Sequence, residues 1–144
     1  ITINIKILSP INGVKSTTTE KKVTKRIKLT NNFYEDEFIC KCGCGAKEID
    51  KELLINLQLA RDELGVPMQV TSGLRCKNWN SKVGGSDHSA HLSGKAVDIA
   101  TNSSRSRYNL VRIMLKFFKR IGIAKSFIHV DVDYMKTNPV IWTY

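Results

Sequence analysis

The chain has 144 residues, enough for one domain with a substantial core. Apolar residues make up 42% and charged residues 25%, the balance expected of a soluble globular domain and not of a disordered or membrane-embedded chain. The longest apolar runs fall far short of the ~20 residues that span a bilayer, and no basic start followed by an apolar core marks a secretory signal. A net charge of +10, from 23 Lys and Arg against 13 Asp and Glu, points to an anionic partner such as a cell-surface polymer or nucleic acid. The basic residues are dispersed, apart from KKVTKRIK at 21–28. That run has no interleaved aromatics and no nucleic-acid-binding module is readable, so specific nucleic-acid recognition is not expected.

In chain order, ITINIKIL (1–8) places Ile1, Ile3, Ile5 and Ile7 on one face, and KVTKRIKL (22–29) alternates less cleanly. These predict two short strands, joined through an Asn-Gly turn, as an N-terminal extension over 1–32. The main domain is expected over 33–144. Cys40, Cys42 and Cys44 lie in CKCGCG with Cys76 distant, tighter than the usual spacing of a structural zinc site. Reduced thiols, a small zinc site completed by Cys76, and a disulfide to Cys76 all remain open. IDKELLINLQLARDELG predicts a core helix: Asp50 is a suitable N-cap, Leu53, Leu57, Ala60 and Leu64 recur at helical spacing, and Gly65 and Pro67 end it. MQVTS (68–72) reads as a strand. A second helix is expected over Ser103–Arg120, with Leu110, Val111, Met114, Leu115 and Phe118 inward and Gly122 as its stop. SFIHVDVDY then alternates, and NPVIWTY reads as a final strand.

Chemistry concentrates on two stretches. In SFIHVDVDY the polar face carries His129 and Asp131 in consecutive outward positions, ~6–7 Å apart along a strand. Upstream, His91 and Asp98 are seven residues apart, with Asp98 in the short strand KAVDIA beside Ala96 and opposite Val97 and Ile99. Two imidazoles and a carboxylate form the three-ligand set of a catalytic zinc that leaves its fourth position to water. Such an ion lowers the pKa of its water to roughly 7 and polarises a carbonyl. Asp131, Asp133 and His88 are candidate bases, and Arg75 is the natural cation for an oxyanion or a substrate carboxylate. Structural hydrogen bonding is the competing reading of the same residues.

The order SGLRCKNWN, VGGSDHSAHLSGKAVDI, FIHVD and a tail containing Trp resembles the M15 zinc peptidases. It is nearest to their D-alanyl-D-alanine carboxypeptidase-like branch of bacterial and phage cell-wall enzymes. The resemblance covers about 33–144 and is carried by Ser89, His91, Gly94, Ala96 and Asp98, with His129 in His-Val-Asp. It implies zinc on His91, Asp98 and His129, and gives Arg75 the task of orienting substrate or stabilising an oxyanion. Ser89 would help to place the His91 loop at the substrate site, and Gly84 and Gly85 would allow close backbone approach. Three positions depart from the pattern: Leu74 replaces an aromatic, Ala124 a tyrosine, and Ser126 stands where many relatives carry the acidic base. Asp131 is then the candidate base, with a carboxylate that fixes a histidine tautomer as its alternative role.

The expected fold is α+β: a small antiparallel sheet carrying the zinc site, with flanking helices, in the hedgehog and D,D-peptidase-like arrangement. The expected function is zinc-dependent hydrolysis of peptidoglycan stem peptides or cross-links by a phage-lysin-like enzyme, its charge assisting approach to anionic wall polymers. The alternative is a non-catalytic zinc-containing cell-wall-binding or virion structural module.

Overall fold

The computed structural model describes residues 24–144. The first expected strand, at 1–8, lies outside those residues. Of the second, the described part forms only an isolated bridge between Lys28 and Tyr34. Leu29 packs against the core beside the buried Phe33, and Arg26 pairs with Asp36 at 2.8 Å.

Helix α1 (Lys51–Leu64) begins where the Asp50 carboxylate accepts from the N–H groups of Glu52 and Leu53, and ends at Gly65 with φ +73°. Its Leu53, Leu57 and Ala60 are buried. Strand β1 (Val70–Ser72) is followed by a short helix α2 (Lys77–Lys82), a 3-10 turn at Ala90–Ser93, and strand β2 (Ala96–Ala100). Helix α3 (Ser104–Phe117) precedes β3 (Arg120–Ile123), β4 (Phe127–Asp131) and β5 (Val140–Thr143).

The five strands form one sheet in the order β1-β2-β4-β3-β5. The pairs β1–β2, β2–β4 and β3–β4 are antiparallel, whereas β5 lies parallel to β3. The sheet is therefore mixed, where an antiparallel one was expected. The difference comes from a strand hidden inside the expected second helix. That helix stops at Phe117, and Phe118 is extended (φ −127°, ψ 143°) with its ring buried. Arg120 and Gly122, read as helix end and helix stop, instead begin and occupy β3. Alternation of Ile121 and Ile123 with Arg120 and Gly122 suits a pleated strand, and pairing on both edges outweighs the short continuation of helical periodicity. Leu115, expected inward, is about half exposed, while Ile113 is buried.

Strand alternation gives the sheet two different faces. Val97, Ile99, Ile121, Ile128 and Val130 join Leu53, Leu57, Ala60, Leu110, Ile113 and Met114 in the core beneath α1 and α3. The opposite face carries Ala96, Asp98, Arg120, Gly122, Phe127, His129, Asp131 and Trp142. Register turns these into rows. Asp98 lies opposite His129, which faces Gly122, which pairs with Trp142. One step along, Ala96 lies opposite Asp131, which faces Arg120.

Candidate metal centre

Asp98 and His129 are cross-strand partners, so their side chains meet without any loop having to be ordered. His91 arrives from the 3-10 turn, which Ser89 caps by accepting from the His91 N–H at 3.3 Å. Three atoms converge: His91 Nε2 lies 3.2 Å from His129 Nδ1 and 3.2 Å from Asp98 Oδ1, and His129 Nδ1 lies 2.9 Å from Asp98 Oδ1. All three residues are buried, at 2%, 6% and 4% exposure for His91, His129 and Asp98.

The other polar atom of each residue is held from behind. His91 Nδ1 lies 2.7 Å from the Gly73 carbonyl, which can only accept, so Nδ1 carries the proton and Nε2 turns a lone pair into the site. His129 Nε2 donates to Asp131 Oδ2 at 2.9 Å, so Nδ1 likewise presents a lone pair. Asp98 Oδ2 accepts from Arg75 Nη2 at 3.1 Å, leaving Oδ1 for the site. Three acceptors thus face one another in a buried space, an arrangement that needs a cation or a proton between them. Tetrahedral zinc with bonds of ~2.0–2.1 Å spans donor pairs about 3.3 Å apart, and these edges lie within a few tenths of an ångström of that. The donor set fits a single divalent metal ion, which His91, Asp98 and His129 would hold.

The same contacts set the direction in which the pKa of each group moves. Burial opposes ionisation of Asp98, but hydrogen bonds from His129 and His91 outweigh it and hold the carboxyl well below its usual range. Burial also opposes charge on His129, yet the hydrogen bonds it donates to Asp131 and Asp98 outweigh that and raise this imidazole above its ordinary value. For Asp131 burial is outweighed by the His129 hydrogen bond and charge, the Asp133 N–H and Arg120, and its pKa is lowered.

Asp131 is 1% exposed and both its oxygens are engaged. Oδ2 meets His129, and Oδ1 accepts from Arg120 Nε at 2.7 Å and from the Asp133 N–H at 3.0 Å. It sits behind the His129 ring, on the side away from Asp98 and His91, which is the geometry of its alternative role. Asp133 is paired with Lys136 at 3.4 Å, and Ser126 is exposed ahead of β4. His88 is exposed and lines the cleft above the site. That cleft has a volume of about 580 Å³ and is bordered by Arg75, Arg120, Lys136, Phe127, Trp142 and Tyr144. Gly84 and Gly85 also border it, and the Asn80 side chain occupies the space a Gly85 Cβ would need. Arg75 is held by Ser72 Oγ at 3.0 Å in addition to Asp98, and two such bonds leave further N–H donors on its guanidinium.

Sequence reasoning missed Arg120, Gly73 and Trp142 as parts of the site. Arg120 was concealed by the helical pattern, although R-I-G-I also alternates. Gly73 contributes a carbonyl, which no side-chain motif reveals. The Trp142 ring packs at a tilt against His129, centroids 5.3 Å apart, with the Arg120 guanidinium 5.2 Å from the indole. It reaches there because the Gly122 Cα carries no Cβ; one added would lie 2.7 Å from the indole.

Two imidazoles and a carboxylate buried at the floor of an open cleft, each oriented by a partner behind it, define a mononuclear metallohydrolase. The family profile described as Peptidase M15 matches residues 31–131. The chain belongs to this family, whose peptidases are metal-dependent. No curated protein matches the chain.

Proposed function

We propose that the protein is a zinc-dependent peptidase of peptidoglycan, cutting stem peptides or their cross-links in the manner of a phage lysin. The convergence of His91 Nε2, Asp98 Oδ1 and His129 Nδ1, each fixed from behind, is the observation that carries the reading. A bound zinc ion supplies a Lewis acid for the scissile carbonyl and a water acidified to near-neutral pKa. The chain's residues supply the rest. The Gly73 carbonyl and Asp131 keep both imidazoles in the ligating tautomer. Arg75, beside Asp98 and lining the cleft, offers N–H donors to the oxygen on which negative charge develops, or to a substrate carboxylate. Ser89 holds the His91 turn in place at the substrate side of the cleft. Arg120 and Lys136 line the cleft with each cation already paired to a carboxylate, Asp131 and Asp133 respectively, and Trp142 and Tyr144 give it apolar walls. Asp131 acts as a positioning residue and not as the general base, because its oxygens are already occupied. The +10 charge would favour approach to anionic wall polymers.

The test is mass spectrometry of defined muropeptides incubated with the zinc-loaded protein. Cleaved fragments, lost on chelation and regained with zinc, are expected, with none from His91→Ala. One observation favours a second reading, a zinc-containing wall-binding or virion module without turnover: among the described residues, the carboxylates lining the cleft are Asp98 and Asp131, and both are engaged. Chelator-sensitive binding to sacculi with intact muropeptides would replace the first reading with that one.

A further inference from the structure

A second group of soft ligands lies outside the histidine site. The Sγ atoms of Cys40, Cys42, Cys44 and Cys76 all fall within 4.8 Å of one another. Cys40 and Cys42 are 3.4 Å apart and Cys42 and Cys76 are 3.5 Å apart. A disulfide requires about 2.05 Å and joins only two sulfurs; here four from two distant segments point at one spot. Tetrahedral zinc with bonds of about 2.3 Å to sulfur spaces its ligands about 3.8 Å apart, close to these separations. Such close grouping suits one ion better than an iron–sulfur cluster, whose ligands spread around several irons.

The local fold is built to bring the sulfurs together. The Cys40 N–H bonds the Ala46 carbonyl at 2.9 Å and closes the 40–46 loop. Within it Gly43 and Gly45 take φ of +82° and +81°, a conformation that spares the intervening cysteines from the strain of adopting it themselves. Cys76 comes from the start of α2, where its sulfur accepts the Trp79 N–H at 3.4 Å, and the Cys76 N–H points to Cys40 Sγ at 3.3 Å. Such N–H donors favour thiolate. Burial pushes the Cys40 thiol up, but bonds from the Cys76 and Cys42 N–H groups and the neighbouring thiols outweigh it and bring it to about 7. Shared hydrogen bonding with Cys44, Cys40 and Cys76 pushes Cys42 up to about 12.

We propose that Cys40, Cys42, Cys44 and Cys76 form a second metal site, a tetrathiolate zinc centre that clamps the 40–46 loop to the backbone carrying Arg75. The clamp bears on the peptidase site directly. Residues 73–76 supply the Gly73 carbonyl that orients His91 and the Arg75 guanidinium that holds Asp98, and the Leu74 N–H bonds Phe38 just ahead of the loop at 2.8 Å.

Elemental analysis of the zinc-replete chain should give two zinc equivalents, one for each group. Cys42 and Cys44 are exposed, so the double variant Cys42→Ser/Cys44→Ser should fold and lose one equivalent while keeping the histidine-site ion, which serves as the folding control. His91→Ala should lose the other. Cobalt(II) added to His91→Ala should give thiolate-to-metal charge-transfer absorption, which the double cysteine change placed on that background abolishes. A single equivalent that His91→Ala removes completely would overturn the proposal, as would a disulfide among these cysteines in the native zinc-replete protein.

Discussion

At the scale of single residues, the position of Asp131 separates orientation from proton transfer. In the proposed site its carboxylate would fix the His129 tautomer and raise the basicity of the nitrogen offered to the metal, a role whose loss typically costs about 10–100-fold in metal affinity. Asp131→Asn should therefore weaken zinc binding by that order, measured by competition with a chromophoric chelator, while kcat at saturating zinc stays close to the parent value. A kcat that collapses with the site fully loaded would return Asp131 to the role of base. His129 yields a second expectation. Its pKa is raised by its carboxylate partners, and a metal ion held at Nδ1 would compete with the proton there. Zinc affinity should fall as pH drops below that raised pKa, with protons released on uptake there, readable by calorimetry in buffers of different ionisation enthalpy. For stability the sign is complementary. A raised histidine pKa stabilises the metal-free fold fully below the ordinary imidazole value, and this is lost as pH rises through the raised one. Added zinc should consequently stabilise the protein more on the alkaline side.

At the scale of elements, α1 was legible because every local signal agreed: an Asp cap, a leucine stripe and a glycine stop. Strands β2 and β4 were legible because alternation separated Val97, Ile99, Ile128 and Val130 from Asp98 and His129. What failed was the Phe117–Gly122 segment. Local periodicity carries a helix as far as Arg120, whereas the outcome depends on two neighbouring strands that no local window contains. With β3 missing, its parallel pairing to β5 and the Arg120–Asp131 pair were out of reach too. The donor triad was readable in kind from His91, Asp98 and His129, but the carbonyl of Gly73 and the contact of Trp142 with His129 depend on register. Gly122 tests that register. A Cβ there would lie 2.7 Å from the Trp142 ring, so Gly122→Ala should destabilise the protein by about 1–3 kcal/mol as overpacking. It should also displace the indole from His129, seen as a lower Tm and altered tryptophan fluorescence.

At the scale of the whole molecule, the metal donors come from the 3-10 turn, β2 and β4, and their supporting groups from β1, β3 and the approach to α2. A cation bound there stabilises all of these together: at 1,000 times Kd the linkage amounts to about 4 kcal/mol. Net charge acts over a longer range. Residues 1–23 carry four Lys and one Glu, so most of the +10 belongs to the described body. Charge spread in this way steers encounter with a polyanion but contributes little to chemistry on one small peptide inside a cleft whose Arg75 and Arg120 are already paired with carboxylates. Raising ionic strength from low salt to about 0.5 M shortens the screening length to a few ångströms. Association with purified sacculi should then weaken severalfold, while kcat on a soluble muropeptide changes by less than about twofold. If both fall together, charge contributes inside the cleft; if neither falls, the basic surface does not recruit the protein to the wall.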